Sequence, residues 1–185
     1  SNQYLFDVQD LRKWFPVSQE FSFRSFFGEP DYLKAVDDLS FQLPKGEIVG
    51  LAGQSGCGKS TLGELLAGLQ KPSSGEILFQ GNDISEFSKA EMKQFRRHCQ
   101  IVFQDPYESL NPRFPVARLV SEPLTIHGIG NREERYEKTI QALDDAGLHP
   151  PEEYLEKLPK ELSGGERQRV SIARAIVIDP EFVIA

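Results

Sequence analysis

The spacing of apolar residues along this chain changes period several times, and each change predicts an element. Residues 4–8 alternate apolar and polar positions weakly, as a strand with one buried face does. Leu11-Arg12-Lys13-Trp14-Phe15 follows, carrying aromatics upstream of everything else of chemical interest. Residues 35–43 predict a second strand, closed by the Pro44-Lys45-Gly46 turn. Ile48, Val49 and Leu51 make a short apolar run suited to a buried strand, after which Leu62, Leu65, Leu66 and Leu69 recur at helical spacing. Residues 76–79 predict a strand. Ser88 and Glu91 have the spacing of a capping box and predict a helix to about Arg97. Residues 100–103 then read as a buried strand.

From there the pattern becomes helical with Pro-rich joints. Residues 116–124 predict a short helix and residues 132–146 a clearer amphipathic one, with Tyr136, Ile140 and Leu143 on one face. Gly147 is placed to end it, and Pro150-Pro151 prevents continuation. A last helix opens in residues 162–169 and runs to about Val177; Asp179-Pro180 ends it and residues 182–185 begin a strand. Between Pro16 and Pro30, Phe21, Phe23, Phe26 and Phe27 need burial or a partner, as an insertion folded on its own domain or as a contact with another subunit.

Gly53-Gln54-Ser55-Gly56-Cys57-Gly58-Lys59-Ser60-Thr61 fits G-x-x-x-x-G-K-[ST], the phosphate-binding P-loop, and lies between a predicted strand and a predicted helix. That order aims backbone N–H groups and a helix N-terminus at one point, which favours a bound phosphate. Lys59 is expected to reach the β- and γ-phosphates and the Ser60 hydroxyl to ligate Mg²⁺. An ordinary Gly-rich turn explains neither the Lys-Ser pair nor its flanks. Gln104, at the end of a predicted strand, is a sensible Mg²⁺- or water-contacting amide. Ser163-Gly164-Gly165-Glu166 puts a serine cap and two glycines at a helix start, a second anion site. About sixty residues separate these two features, too many for one simple crossover.

Composition narrows the reading. A net charge of −7 argues against a general nucleic-acid binder. No apolar run approaches the roughly 20 residues that span a bilayer, and the start lacks a signal-peptide pattern, so a membrane role is expected to come through a partner. Cys57 and Cys99 make no disulfide framework and fit a reducing, cytosolic setting. His98, His127 and His149 sit in no recognisable catalytic arrangement and read as structural or surface residues.

At these residues the chain resembles the nucleotide-binding subunit of ATP-binding cassette (ABC) transporters. Residues 53–61 match the Walker A motif of that family, Gln104 its Q-loop, and residues 162–166 its LSGGQ signature. Residues 34–41, 104–113 and 161–174 resemble its dipeptide/oligopeptide importer branch. The resemblance implies an α/β fold: a P-loop NTPase core with an N-terminal antiparallel β subdomain and an inserted α-helical subdomain, laid out as residues 1–104, 105–162 and 163–185. It implies ATP and Mg²⁺ as cofactors. Gly53, Ser55, Gly56, Cys57, Gly58, Lys59, Ser60 and Thr61 would contact nucleotide, as would Ser163, Gly164, Gly165 and Glu166 across a head-to-tail dimer. Lys59 and Gln104 would serve catalysis, and Ser60 and Gln104 the metal. Family members stack adenine on an N-terminal aromatic; Phe15 fits by spacing, with Trp14 and Tyr32 as alternatives.

The implied partners are a second nucleotide-binding subunit, membrane-spanning permease subunits and an external solute-binding protein, with no nucleic acid. The implied location is the cytoplasmic face of the cell membrane. Tyr107 and Leu110, after Gln104, are expected to face the permease. Two departures matter. Glu166 stands where glutamine is commonest in the family, though glutamate there can complete a capping box with Ser163. The sequence also ends at Ala185, before the acids of the Walker B motif, so the expectation is a subunit truncated ahead of its C-terminal core strands. The expected function is ATP hydrolysis energising import of peptides or similar small solutes. A nucleotide-binding fragment without turnover and a soluble non-transport ABC ATPase are the alternatives.

Overall fold

A computed structural model describes residues 4–17, 32–105 and 110–185. The chain divides into two compact units, Ser1–Met92 and Lys93–Ala185. The Phe-rich stretch that includes Phe21, Phe23, Phe26 and Phe27 lies outside the described residues, as does Tyr107.

The first unit is built on an antiparallel sheet of β1 (Tyr4–Pro16), β2 (Tyr32–Pro44), β3 (Ser74–Phe79) and β4 (Asn82–Asp83), in the order β2-β1-β3-β4. The two N-terminal segments read from the sequence form one strand. Asp10 takes a positive φ of 48°, the β1–β2 register shifts between Val8 and Leu11, and pairing then resumes through Phe15 and Leu33. Such a bulge re-aims the strand without ending it. Leu5, Phe6, Val8 and Leu11 are buried with Ile77 and Phe79, and the Phe6 and Phe79 rings meet at 5.2 Å.

α1 (Lys59–Leu66) buries Leu62, Leu65 and Leu66, as its spacing predicts. Its C-terminus closes with Gly68 and Leu69 donating to the carbonyls of Leu65 and Glu64, the paired bonds of a Schellman motif. Leu69, counted in the helical stripe, lies past this end and is exposed. The strand predicted from Ile48, Val49 and Leu51 is absent. These residues take no regular structure, and Ile48 is fully exposed at 103% with Val49 and Leu51 at 57% each. An apolar run becomes a strand only when another strand pairs with it, and the four strands of this sheet pair among themselves.

α2 (Lys89–His98) starts where the capping box places it: Ser88 N–H donates to Glu91 Oε2 at 2.8 Å and Glu91 N–H to Ser88 Oγ at 3.3 Å. The second unit then holds a parallel pair, β5 (Cys99–Ile101) with β6 (Phe182–Ile184). The buried strand predicted for residues 100–103 is therefore shorter and displaced. Cys99 is buried, but Phe103 is past the strand and exposed.

Three helices form the core of this unit: α3 (Val116–Ile126), α4 (Arg132–Asp145) and α5 (Gly164–Ile176). Val116, Leu119, Val120, Leu124, Leu143, Leu148 and Val170 are almost wholly buried there. Each such aliphatic contributes about 1.5–3 kcal/mol through removal from water. The buried face of α4 differs from the predicted one. Tyr136 is exposed and Ile140 only half-buried, whereas Thr139, Ala142 and Leu143 point inward. Small side chains let α4 approach its neighbours, and Thr139 satisfies its hydroxyl by donating to the carbonyl of Arg135 at 2.7 Å. Gly147 ends α4 as predicted: it donates to Asp144 and Leu148 to Leu143, again a Schellman pair. Leu110, expected to face a permease, is buried at 3% exposure in this same core. Its apolar side chain packs inward rather than toward a partner.

Candidate functional site

The P-loop leads into α1 through Gly58, whose φ of +89° is left-handed. A Cβ on Gly58 would lie 2.0 Å from the carbonyl oxygen of Ala35 in β2, so only glycine lets the loop press against the sheet there. α1 has no side-chain cap. Leu62 N–H closes the first helical bond to Gly58, but the amides of Lys59, Ser60 and Thr61 find no acceptor among the described residues. Lys59 reaches back over the loop instead. Its Nζ donates to the carbonyls of Gly53 at 2.6 Å and Gln54 at 2.7 Å and lies 3.5 Å from Cys57 Sγ. Cys57 N–H donates to Gln54 at 3.3 Å, closing a turn within the loop. Gly53, Ser55, Gly56, Cys57 and Ser60 are exposed, and Gly58, Lys59 and Thr61 are half-buried. Three amides at a helix start with no acceptor among the described residues, and an ammonium held over the same loop, form a surface suited to a polyanion.

Phe15 is half-buried and pairs with Leu33, two residues from the Ala35 carbonyl that Gly58 meets. Lys13 Nζ lies 5.1 Å from its ring. The alternatives are tied to each other: the Trp14 and Tyr32 rings sit 6.1 Å apart, Trp14 Nε1 donates to Asp37 at 3.0 Å, and Lys34 Nζ stands 4.7 Å over the indole.

The signature turn belongs to the second unit. Leu162 is buried in the helical core, while Ser163, Gly164 and Gly165 are exposed. Ser163 caps α5 through the predicted box: Glu166 N–H donates to Ser163 Oγ at 3.2 Å, and Ser163 N–H donates to Glu166 Oε2 at 2.7 Å. The Ser163 hydroxyl and amide hold the Glu166 carboxyl below its ordinary range, against a small opposing desolvation, with Tyr154 and Lys157 helping. Three arginines that the sequence reading missed fix this helix. Arg167, buried, donates to the carbonyls of Leu162 at 2.6 Å and Pro159 at 3.1 Å; Arg169 donates to Ala146 at 2.8 Å; Arg174 pairs with Glu122 on α3 at 2.8 Å. The seven-residue interval from Arg167 to Arg174 puts both on one helical face, the signal available beforehand.

Gln104 lies in a bend just past β5 and is exposed. The Walker A residues and Phe15 thus share the first unit, and Gln104 and the signature residues the second. The histidines do structural work: His98 meets Glu181 at 2.9 Å and His149 meets Asp144 at 2.8 Å. Burial, with Lys93, Arg97 and His98 nearby, lowers the His127 pKa. Burial pushes the Cys99 thiol up to about 12, which makes it inert, whereas Cys57 is exposed in the loop. A hollow of about 400 Å³ lined by Arg118, Arg132, Arg135 and Tyr136 contains none of the predicted site residues.

Residues 36–185 match the family described as ABC transporter. The chain belongs to the ABC transporter family. It is 42% identical over 186 residues to the oligopeptide transport ATP-binding protein AppF of Bacillus subtilis (strain 168), covering 100% of this chain and 55% of the relative. It is 40% identical over 183 residues to the dipeptide transport ATP-binding protein DppF of Escherichia coli (strain K12), covering 99% and 53%. The chain spans about half the length of these curated relatives. Among solved structures, the dimeric post-hydrolysis ATP-binding cassette MJ0796 bound to ADP and Pi superposes with a TM-score of 0.82 at 27% identity, over 96% of this chain and 72% of that one. The mixed α/β fold implied by the resemblance is that of an ABC cassette, and the relatives agree with the peptide-importer resemblance. Among the described residues, no helix is long and apolar enough to cross a membrane.

Proposed function

We propose that this chain is the nucleotide-binding part of an ATPase subunit that energises import of peptides or similar small solutes through an ABC transporter. The observation that carries the reading is the start of α1, where the amides of Lys59, Ser60 and Thr61 have no acceptor among the described residues and the Lys59 ammonium folds back over the loop. The triphosphate of ATP supplies the acceptors. Lys59 exchanges the carbonyls of Gly53 and Gln54 for phosphate oxygens, and Phe15 stacks on adenine. Ser60 offers one hydroxyl oxygen for Mg²⁺. Among the described residues no group of His, Cys, Asp or Glu is arranged to hold a metal. That fits a cation held mainly by phosphate oxygens and water, the usual arrangement for Mg²⁺.

In hydrolysis, water attacks the γ-phosphorus, the bond to the β,γ-bridging oxygen breaks, and ADP and phosphate leave. Bound Mg²⁺ neutralises charge on the phosphates. Ser163, Gly164 and Gly165 of a second subunit meet the γ-phosphate held by the P-loop, and Gln104 orients water or the cation. The relatives' names support a peptide-transport role. The further partners in this reading are permease subunits, which hold this subunit at the cytoplasmic face of the membrane, and a solute-binding protein on the external side. Lys59→Ala tests the reading by calorimetry with Mg-ATP. A hydrogen bond to a charged group is worth about 1.5–3 kcal/mol, roughly 10–150-fold, so loss of contacts to two phosphates takes binding below detection. Near-normal affinity in this variant rejects the assignment.

A further inference from the structure

The second unit holds a hollow of about 400 Å³ that none of the residues assigned to nucleotide lines. Three arginines line it: Arg118 on α3, and Arg132 and Arg135 in the first turn of α4. No Asp or Glu is among its lining residues. Among the described residues, none of the three arginines is paired with a carboxylate. Glu133 and Glu134 follow Arg132 in the chain but do not line the hollow, and Glu134 is turned onto Asn131 N–H at 2.7 Å. In a chain of net charge −7 this gathering of cations is local. Helix stability does not account for it, because the positive end of the α4 dipole disfavours cations in its first turn.

Neutral groups hold two of these guanidiniums in place. Arg135 Nε donates to the Ile129 carbonyl at 2.8 Å and Nη1 to Thr125 Oγ1 at 3.2 Å, which leaves Nη2 without an acceptor among the described residues. Arg118 lies 3.5 Å over the Phe114 ring. Stacking uses the face of a guanidinium and leaves its N–H edge available. The Arg132 side chain is exposed and makes no hydrogen bond among the described residues. Ala117, Leu155 and the Tyr136 ring supply an apolar wall. A hollow of this size, with an apolar wall and a few convergent polar groups, is of the kind that takes a small molecule.

We propose that this hollow binds a small phosphate monoester, with Arg118, Arg132 and Arg135 on the phosphate and the apolar wall against its organic part. Guanidiniums match phosphate oxygens through paired hydrogen bonds. A phosphate monoester brings about 1.5 to 2 negative charges and three acceptor oxygens at pH 7. A carboxylate brings a single charge, so three arginines fit the phosphate better.

Amide shifts during titration of this chain with phenyl phosphate test the proposal, in the Lys59→Ala variant so that the P-loop does not compete. The amides of Arg132, Arg135 and Tyr136 are expected to shift and saturate at millimolar probe, while phenol, which lacks the charge, moves none of them. Arg132→Gln, at an exposed position with no contact to lose, is expected to weaken binding by about 10-fold or more, the size of one lost hydrogen bond to a charged group. Arg118→Gln is expected to do the same. Unmoved amides at these three residues, or unchanged affinity in both arginine variants, overturn the proposal. A tetraglutamate peptide that saturates the same amides at lower concentration than phenyl phosphate assigns the hollow to an acidic protein segment, and overturns it too.

Discussion

The two helix starts to which the proposed function assigns phosphate contacts are built oppositely. α1 begins at Gly58 with no side-chain cap, no acid in its first turn, and three amides without an acceptor among the described residues. α5 begins at Ser163 with a complete capping box and Glu166 in its first turn. One start leaves its backbone donors and partial positive charge to an outside anion. The other satisfies one donor with Ser163, turns the Glu166 carboxylate back onto Ser163 N–H, and leaves the Gly164 and Gly165 amides without an acceptor among the described residues. A helix N-terminus binds phosphate on its own when its sequence declines to cap it. A capped start contributes when another site presents the phosphate.

The largest effect expected from this contrast is at Gly58. Gly58→Ala has to hold a side chain at a left-handed φ, which costs about 1–2 kcal/mol, and has to relieve a 2.0 Å approach to the Ala35 carbonyl. Denaturant unfolding should show a loss above ~2 kcal/mol, together with loss of ATP binding. Ser163→Ala should cost about 1 kcal/mol in the same assay, the usual value of an N-cap. No truncation of a side chain among residues 54–57 should have a comparable capping cost, because α1 has no side-chain cap to lose.

Acid should separate the two starts as well. The folded pKa of Glu166 is lowered, chiefly by Ser163. Its contribution is therefore present above the ordinary carboxylate value of 4.5 and is lost as pH falls through the lower folded value. Glu91 at the start of α2 behaves alike, its pKa lowered by Ser88. Amide exchange should show the first turns of α2 and α5 fraying below about pH 4.5, with no matching acid step at α1.

The smallest effect sharpens the roles of the signature glycines. A Cβ on Gly165 meets nothing within 4 Å, and alanine in a helix is favoured over glycine by up to ~1 kcal/mol. Gly165→Ala should leave stability unchanged or slightly raised. A fall in ATP turnover beside intact stability then reports the close approach of a phosphate rather than damage to the helix.

Features governed by short-range spacing were legible before the fold was known. Ser88 with Glu91, Ser163 with Glu166, and Gly147 each announce a helix end through bonds that span three to five residues. The P-loop was legible for the same reason. Features that depend on distant chain were not. Ile48, Val49 and Leu51 have the composition of a strand, but pairing is a non-local event that composition does not encode. Leu110 reads as part of an irregular, partner-facing segment, and only the position of the helical core shows that it is buried. On α4, large side chains at Tyr136 and Ile140 suggested a face that the small Thr139 and Ala142 occupy instead. The Asn131–Glu134 box that starts α4 has the same three-residue spacing as the Ser88–Glu91 and Ser163–Glu166 boxes, so it too is legible in the sequence. The spacing of Arg167 and Arg174 shows that they share a helical face, but their acceptors, and that of Arg169 at the Ala146 carbonyl, are set by how the chain folds around α5.

The contrast between the helix starts has one direct measurement: backbone amide shifts during titration of this chain with Mg-ATP at a dilution where it is monomeric. The account predicts that Lys59, Ser60 and Thr61 shift and saturate first, while Gly164 and Gly165 stay in place over the same range of nucleotide. Concurrent shifts at both sets, or shifts at Gly164 and Gly165 that saturate at lower nucleotide than those at Lys59, would contradict it.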